Sequence, residues 1–329
     1  MTCVSGRVAL LCRKRFTAEL DWSDLGPLLP GWTIRTCRSD DVIAHLAGVE
    51  LVCPFGAVID REVLDAGRFG LVQQFGVGLE KVDLERATEL GVWVARIPGE
   101  DSGNADSVAE LAVLFLLTLI RRLGDASAAL ADSDWDARPT GGSLLGSTVA
   151  IVGLGAIGSA LALRLNAFSA KITGVRAQPS RGQPPGVTEV AGPGQLFEVL
   201  GQADAVVCCA LYDGTNAGLF NAAAFAAMKP GAVFVNVARG GLVDEAALLA
   251  ALDSGQVAGA GLDVHAREPA DPDSPLLRHP RVVATPHIGG LTYEMFRRTS
   301  ALFAGNVHRW AAGEPPRWAA NSPLTTRCR

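Results

Sequence analysis

Six residues of this 329-residue chain match the glycine pattern that binds a dinucleotide, Gly153-Leu154-Gly155-Ala156-Ile157-Gly158. The apolar run before them predicts a strand, and residues 159–165 predict a helix. In this setting Gly153 permits a tight turn, Gly155 lets the backbone approach a pyrophosphate, and Gly158 lets helix and strand pack closely. The helix start then offers free N–H groups to the phosphates. The alternative, a glycine-rich turn that binds nothing, is disfavoured by the strand and helix on either side.

The residue after the next predicted strand bears on the choice between NAD and NADP. Folds that take NAD usually carry Asp or Glu there, about 20 residues after the glycines, on the ribose hydroxyl. Here the strand Lys171–Val175 is followed by Arg176, and no acidic residue occurs before Glu189. Arg176 would pair with a 2′-phosphate through charge-assisted contacts, with Arg181 on its other side. We expect a preference for NADP over NAD; a solvated Arg176 without a ligand is the other interpretation.

Three later segments carry a cation, a carboxylate and an imidazole. They are Val235-Asn236-Val237-Ala238-Arg239-Gly240-Gly241, Gly261-Leu262-Asp263-Val264-His265-Ala266-Arg267-Glu268-Pro269 and Thr285-Pro286-His287-Ile288-Gly289-Gly290. Reducing a carbonyl beside a carboxylate needs a cation that holds the carboxylate, a general acid, and a group that tunes that acid near neutral pH. The three segments supply these three kinds of group.

At these residues the chain resembles the D-isomer-specific 2-hydroxyacid dehydrogenases, which include glyoxylate/hydroxypyruvate reductases, D-lactate dehydrogenases and phosphoglycerate dehydrogenases. Further matches are Phe75-Gly76-Val77-Gly78 with Val82-Asp83, and Ser107-Val108-Ala109-Glu110. The resemblance spans nearly the whole chain, with its motifs in the right order behind the glycine pattern. It implies an oxidoreductase that transfers a hydride between NAD(P)H and a 2-keto acid to give a D-2-hydroxy acid. The substrate would be similar to glyoxylate or hydroxypyruvate, or larger.

The resemblance also implies roles for individual residues. Arg239 would bind the substrate carboxylate and carbonyl. His287 would be the general acid in reduction, with Glu268 orienting the imidazole and favouring its protonated form. The backbone N–H groups of Val77 and Gly78 would cradle the carboxylate. Asp263 would hold the nicotinamide carboxamide, and the rest of the cofactor would lie against Ala156, Ile157, Ala210, Leu211, Asn216, Val237 and Ala238. A structural ion pair of Arg239 with Glu268, and a His287 without a chemical role, are the alternatives.

Some positions depart from family patterns, and they narrow the range of activities and substrates expected within the family. His265 stands where the family usually has an aromatic residue, and we interpret it as a substitute that lines the cleft. Val77 replaces the lysine of phosphite dehydrogenases, and Glu268 the glutamine of formate dehydrogenases. Too few residues follow His287 for the regulatory domain of many phosphoglycerate dehydrogenases. Phe55 suggests an apolar wall for a substrate larger than glyoxylate, unless it is simply a core residue.

Two series of apolar runs, alternating with helix-like segments, must position these residues. The first series is Val8–Cys12, Thr33–Cys37, Leu51–Phe55, Leu71–Phe75 and Val92–Ile97. The second is Val149–Val152, Ile172–Val175, Ala205–Ala210, Val233–Val237, Ala258–Val264 and Val282–Thr285. Such alternation predicts an α/β protein with two doubly wound parallel sheets. We expect a discontinuous, flavodoxin-like substrate domain at 1–102 and 291–329, and a Rossmann cofactor domain at 103–290. Residues 186–194 are predicted to be a surface loop.

Composition excludes several other classes of protein. The net charge is −5 with acidic and basic residues mixed, which argues against a nucleic-acid partner. The longest apolar run, Leu111–Ile120, is shorter than the roughly 20 residues of a membrane span. The seven cysteines are odd in number and lack a CxxC pair, so we expect core thiols, no metal site and a reducing cytoplasm. The amino terminus does not resemble a signal peptide.

A helix predicted at Asn104–Leu123 is apolar almost all round and must therefore be covered on most of its surface. It is either an inter-domain core helix or also a contact between two copies, and we expect a homodimer. A different class of function stays open, because some relatives of this fold are dinucleotide-sensing corepressors without turnover. That interpretation expects partner-binding extensions, of which the sequence has almost none.

Overall fold

The computed structural model describes residues 7–13 and 25–327, and they form two compact units. Unit 1 comprises Met1–Gly103 together with Thr292–Arg329, and unit 2 comprises Asn104–Leu291. The assignment of the first unit to the substrate and the second to the cofactor stays a prediction.

Unit 1 is built on a five-stranded parallel sheet. Its strands are β1 (Arg7–Arg13), β2 (Trp32–Arg38), β3 (Leu51–Cys53), β4 (Leu71–Gln73) and β5 (Trp93–Ala95). Their order is β2-β1-β3-β4-β5, which is the doubly wound order of flavodoxin-like folds. The buried runs in β3 and β4 are continuous, as expected for strands covered on both faces. The predicted fold class is confirmed for this unit.

Helices flank each sheet. Those of unit 1 are α1 (Arg61–Ala66), α2 (Leu84–Glu89), α3 (Gly99–Ser102) and, far along the chain, α10 (Tyr293–Ala311). Asp60 and Asp83 accept backbone N–H groups at the starts of α1 and α2. The apolar stripe of α10 includes Phe303 and Val307, which pack in one core with residues of β1 and β3. The last helix therefore completes the first unit.

Unit 2 holds a seven-stranded parallel sheet of order β12-β11-β10-β9-β6-β7-β8. Its strands are β6 (Thr148–Val152), β7 (Lys171–Val175), β8 (Glu189–Ala191), β9 (Ala205–Cys208), β10 (Ala232–Asn236), β11 (Val257–Leu262) and β12 (Val282–Ala284). This is a Rossmann order extended by one strand. The prediction of a surface loop over residues 186–194 was wrong, because β8 lies within it. Three residues at a sheet edge, with only Ala191 buried, leave too little apolar pattern to reveal a strand.

The remaining helices belong to unit 2. They are α4 (Asn104–Ile120), α5 (Leu123–Ala131), α6 (Ala156–Ala167), α7 (Leu196–Gln202), α8 (Ala222–Ala227) and α9 (Glu245–Asp253). The predicted helix over 104–123 is two helices, separated where Arg122 adopts a left-handed backbone conformation (φ 52°). Phe115 and Leu116 of α4 are fully buried, whereas Leu114 is 56% exposed. The helix is therefore covered within this chain on part of its apolar surface only.

Four of the cysteines are buried thiols, Cys12, Cys37, Cys53 and Cys208, and Cys209 is half-buried. Burial raises the pKa of the Cys208 thiol to about 12, so this group stays protonated and serves as a small apolar filler. The interpretation as core thiols therefore holds for these residues, while Cys3 and Cys328 lie outside the described ones. Within residues 7–13 and 25–327 no helix is long and apolar enough to cross a membrane.

Candidate active site

The residues singled out in unit 2 all follow strands of one parallel sheet. Gly153 follows β6, Arg176 follows β7 and Ala210 lies just after β9; Arg239 and Asp263 come after β10 and β11. Since parallel strands present their carboxyl ends along one edge, these loops share that edge, where open α/β sheets bind ligands. The sheet order thus gathers side chains that are far apart in sequence.

The glycine loop between β6 and α6 has the geometry of a phosphate-binding turn. Gly153 has φ 107°, and a Cβ there would lie 2.5 Å from the Ala210 backbone nitrogen. A Cβ on Gly158 would lie 2.0 Å from the Gly153 carbonyl oxygen. At Gly155, by contrast, a Cβ would meet no atom of the described residues within 4 Å. Two glycines are therefore required by the fold itself, and the third leaves open space.

That open space lies at the start of α6. Gly155 is the residue before the helix, and no side chain of the described residues caps the first N–H groups, which include those of Ala156 and Ile157. Uncapped N–H groups and the positive end of the helix dipole favour an anion. The loop therefore fits the pyrophosphate of a dinucleotide, which would occupy the volume that a side chain at residue 155 would fill.

The two arginines of the predicted NADP site lie on the loop after β7. The Arg176 N–H donates to the Ala191 carbonyl of β8 (3.1 Å), and its guanidinium donates to the Gly182 carbonyl (3.1 Å). Arg181 is exposed in a short 3-10 turn at Pro179–Arg181. Glu189, the next acidic residue along the chain, is exposed in β8. Strand β8, which the sequence did not predict, therefore fixes the backbone of Arg176.

The other predicted cofactor contacts lie after β9 and β10. Leu211 is 78% exposed, and Asn216 donates to its carbonyl oxygen (2.7 Å), which closes a turn. Val237 and Ala238 are almost fully buried, so a ligand would contact chiefly their backbone atoms. The buried side chain of Asn236 accepts the Ala238 N–H (3.1 Å) and donates to the Arg239 carbonyl (3.0 Å). Asn236, which sequence reasoning left without a role, therefore shapes the turn that presents Arg239.

The structure brings His287 and Glu268 together. Nδ1 of His287 lies 2.9 Å from both carboxylate oxygens of Glu268, and the two side chains are about one-third exposed. Since the carboxylate only accepts, Nδ1 carries a proton, and Nε2 is the nitrogen that can exchange a proton with a ligand. His287 also has a left-handed backbone conformation (φ 58°), which is uncommon for a non-glycine residue.

Asp263 organises the loop that carries His287. Its carboxylate accepts the Thr285 hydroxyl (2.6 Å) and the N–H groups of Ile288 (2.7 Å) and Gly289 (2.9 Å). Its carbonyl oxygen accepts the His287 N–H (2.8 Å). Asp263 is only 2% exposed, so its carboxylate is shielded from solvent and holds the loop in place. Its contact with a nicotinamide carboxamide stays a prediction.

His265 is buried near the His287–Glu268 pair, and its interpretation as a residue that lines the cleft stays a prediction. The residue is 9% exposed, and Nε2 lies 2.9 Å from the Thr285 carbonyl oxygen. A Cβ on Gly240 would lie 1.9 Å from the His265 carbonyl carbon, so the residue after Arg239 packs directly on this backbone. The cation and the acid–base pair are therefore carried by segments in backbone contact.

Arg239 itself is half-buried at the end of β10. Its guanidinium donates to the Ala238 carbonyl (2.8 Å). Its role in binding the carboxylate and carbonyl of a substrate stays a prediction.

In unit 1, the predicted carboxylate cradle is a loop between β4 and α2. The Gly76 carbonyl accepts the Ile97 N–H (2.9 Å), and the Gly78 carbonyl accepts the side-chain amide of Gln74 (2.7 Å). Among the residues that the structure describes, the N–H groups of Val77 and Gly78 donate to no protein acceptor. They are thus available for a ligand, and their role as a cradle stays a prediction.

Known proteins resemble this chain in sequence and in fold. Residues 113–289 match the model of the D-isomer specific 2-hydroxyacid dehydrogenase NAD-binding domain. A D-3-phosphoglycerate dehydrogenase of Mycobacterium tuberculosis is 39% identical over 260 residues, which is 78% of this chain and 48% of that protein. The rat enzyme of the same name is 38% identical over 79% of this chain and 48% of its own length. The chain thus spans about half the length of these relatives.

Solved structures extend the likeness over both units. An NADPH-dependent glyoxylate/hydroxypyruvate reductase from Sinorhizobium meliloti is 29% identical with a TM-score of 0.79, covering 97% of this chain and 100% of that one. A protein from Thermus thermophilus is 29% identical with a TM-score of 0.82, covering 95% and 100%. The resemblance drawn from the sequence motifs is confirmed, and the chain belongs to the D-isomer specific 2-hydroxyacid dehydrogenase family.

Proposed function

We propose that this protein reduces a 2-keto acid to a D-2-hydroxy acid with a nicotinamide dinucleotide. The observation that carries the proposal is the His287–Glu268 pair, with Nδ1 2.9 Å from the carboxylate. When bound, the dinucleotide supplies the hydride for the carbonyl carbon. A proton must reach the carbonyl oxygen in the same reaction, and Nε2 of His287 is the group proposed to donate it.

The remaining residues bind and polarise the substrate in this proposal. Arg239 pairs with the substrate carboxylate and draws electron density toward the carbonyl oxygen. The N–H groups of Val77 and Gly78 hold the carboxylate. Glu268 keeps the imidazole in the tautomer that leaves Nε2 free for the substrate, and balances the charge of the imidazolium. In the oxidative direction, neutral His287 takes the hydroxyl proton.

The decisive experiment measures consumption of reduced cofactor with a panel of 2-keto acids and identifies the stereochemistry of the product. We expect turnover that yields the D isomer. Tight cofactor binding without turnover on any acid of the panel would contradict this proposal and favour a dinucleotide sensor.

We propose NADP as the preferred cofactor, with NAD as the alternative. Arg176 and Arg181 support it, because both lie on the loop after β7 and no acidic residue lies between Arg176 and Glu189. A relative with 29% identity is named as NADPH-dependent. Comparing KM for NADPH and NADH tests the preference. Arg176→Ser should raise KM for NADPH about tenfold and leave KM for NADH nearly unchanged; equal effects on both would argue against a 2′-phosphate contact.

The substrate is proposed to be similar to glyoxylate or hydroxypyruvate, or to be a larger 2-keto acid with an apolar side chain. Phe55 supports an apolar wall beside the substrate, since its half-buried ring packs near Phe75 (6.1 Å between centroids) and Phe296 (6.4 Å). Its backbone is left-handed (φ 38°), a conformation that surrounding contacts must hold. The phosphoglycerate dehydrogenases among the relatives make phosphonooxypyruvate the essential comparison in the panel. A kcat/KM that is highest for this phosphorylated acid would refute the apolar preference.

We also propose a homodimer in the cytoplasm. Large apolar side chains are exposed on unit 2, including Leu114 (56%), Leu130 (65%) and Trp135 (66%), which favours a contact with a second copy. The buried free thiols suit a reducing compartment. Sedimentation equilibrium should give the mass of two chains, and a stable monomer would contradict the dimer.

A further inference from the structure

The loop at residues 75–79 of unit 1 presents three consecutive backbone donors. Among the described residues, the N–H groups of Gly76, Val77, Gly78 and Leu79 have no protein acceptor, and the last three lie in the peptides from the Gly76 carbonyl to the Gly78 carbonyl, both of which accept a hydrogen bond. Three successive free N–H groups are a recurrent way to bind an anion without a cationic side chain. Unpaired backbone groups alone do not define a binding conformation, however, so something must hold this loop in place.

The side chain of Gln74 forms hydrogen bonds to both ends of this loop. Its Oε1 accepts the Phe75 N–H (3.1 Å), and its Nε2 donates to the Gly78 carbonyl (2.7 Å). The amide orientation is fixed by chemistry, because an N–H can only face the oxygen and a carbonyl can only face the nitrogen. One side chain therefore ties the first peptide of the loop to the last.

Gln74 can act as a brace because its own backbone is fixed. Its N–H donates to the Ala95 carbonyl in β5 (2.8 Å), and its carbonyl accepts the amide of Gln73 (3.1 Å). Gln73 is fully buried and accepts the side-chain amide of Asn306 in α10 (2.9 Å). The brace therefore starts from a rigid point of the sheet.

Peptide geometry links the brace to the free donors. A trans peptide points its C=O and N–H in opposite directions. Because the Gly76 carbonyl faces Ile97, the Val77 N–H points away from it. Because the Gly78 carbonyl faces Gln74, the Leu79 N–H points away from Gln74. The peptide that carries the Gly78 N–H lies between these two fixed peptides.

We propose that Gln74 is a positioning residue, which holds the N–H groups of Val77, Gly78 and Leu79 ready for the carboxylate of the substrate. The inference rests on the proposed function and deepens it, since it adds Leu79 as a donor and explains how a loop without a cation binds an anion. Gln74 itself touches no substrate; it acts through the loop.

The test compares Gln74→Met with a matched control, Gln256→Met. Gln256 is also half-buried, and its amide donates to the Met228 (2.7 Å) and Phe225 (3.3 Å) carbonyls of unit 2. Gln74→Met should raise KM for the 2-keto acid and the inhibition constant of oxamate roughly tenfold, with kcat and cofactor affinity nearly unchanged. Gln256→Met should lower thermal stability comparably while leaving KM and oxamate inhibition as in the wild type.

A second variant and a measurement independent of turnover keep the test decisive. Gln74→Glu retains the acceptor for Phe75 but loses the donor to Gly78, so it should fold and still raise KM. Hydrogen exchange of the Phe75 N–H should quicken several-fold in Gln74→Met, which removes the acceptor of this N–H, and should change less in Gln74→Glu, which keeps it. Unchanged KM in Gln74→Met, or the same KM change in Gln256→Met, would overturn the inference. If the wild type reduces no 2-keto acid, the proposed function fails, whereas an unchanged exchange rate of the Phe75 N–H in Gln74→Met would overturn the brace itself.

Discussion

In unit 2 the groups assigned to the chemistry are side chains at the ends of parallel strands, whereas in unit 1 they are backbone N–H groups in a loop. Glu268 meets His287 through a carboxylate and an imidazole, which are groups that few residue types carry. Val77 and Gly78 offer only what every residue other than proline offers. Both units use a doubly wound parallel sheet, so the difference lies in what the sheets support.

This difference determines which substitutions affect each unit. Chemistry carried by side chains is lost when the residue changes. Chemistry carried by the backbone survives replacement of its own side chain and is lost only when the loop moves. The predictions below test this contrast, beginning with the largest effect.

His287→Ala should abolish most turnover, because it removes the only group proposed to exchange a proton with the substrate. We expect kcat to fall by roughly 10² to 10⁴ while the dissociation constant of the cofactor stays nearly unchanged. Steady-state kinetics and a cofactor titration measure the two quantities. Near-normal turnover would show that His287 is not the group that exchanges a proton with the substrate.

Gly155→Ala and Gly158→Ala should separate ligand binding from folding within unit 2. The Cβ at residue 155 meets no atom of the described residues, so stability without cofactor should hold, while cofactor affinity should fall about tenfold or more. The Cβ at residue 158 would lie 2.0 Å from the Gly153 carbonyl oxygen, and this variant should lose about 1–3 kcal/mol of unfolding free energy. Thermal unfolding and cofactor titration distinguish them. Equal loss of stability in both variants would show that the space at Gly155 is not reserved for a ligand.

Asp204→Asn should have a small and pH-dependent effect on unit 2. Partial desolvation opposes ionisation of this carboxyl, but Lys229 (2.5 Å) and the Thr148 N–H (2.8 Å) outweigh it, so its pKa is lowered from 3.8. A lowered pKa stabilises the fold above the ordinary value, and this contribution is lost as the pH falls through the lowered one. The side chain is 40% exposed, so we expect a loss below about 1 kcal/mol near neutral pH. Denaturant unfolding of both proteins should show the gap closing in acid; a gap that widens would contradict the sign.

Val77→Ala should have the smallest effect, although Val77 belongs to the proposed carboxylate cradle. The N–H group is retained and the side chain is 36% exposed, so KM and kcat should stay within about threefold of the wild type. A large rise in KM would mean that the side chain itself contacts the substrate, and the contrast between the two units would weaken.

The same contrast explains what the sequence could predict. The parallel sheets and the glycine loop depend on residue types in fixed patterns, and the proximity of Glu268 to His287 was implied by the resemblance to the family; the structure contains all three. Strand β8 was missed because three residues at an edge bury little apolar surface. The division of the helix near Arg122 was missed because an apolar run predicts helix without marking a left-handed residue.

The positioning residues were missed for a related reason. Asn236 and Gln74 act through hydrogen bonds to backbone atoms, and an amide side chain in a loop has many such partners that no spacing rule identifies. Asp263 was noticed, but its bonds to Thr285, Ile288 and Gly289 depend on strands β11 and β12 lying side by side. Only the folded chain reveals such partners.

The bonds that converge on Asp263 have a consequence for how this protein can diversify. The loop that carries the imidazole is fastened to a buried carboxylate through two backbone N–H groups and one hydroxyl, so most of its outward side chains are not needed to hold it. Evolution, or a protein engineer, can therefore vary those outward positions to accept new substrates without disturbing the acid–base pair. The groups proposed to transfer the proton would then stay in place while the choice of substrate changes around them.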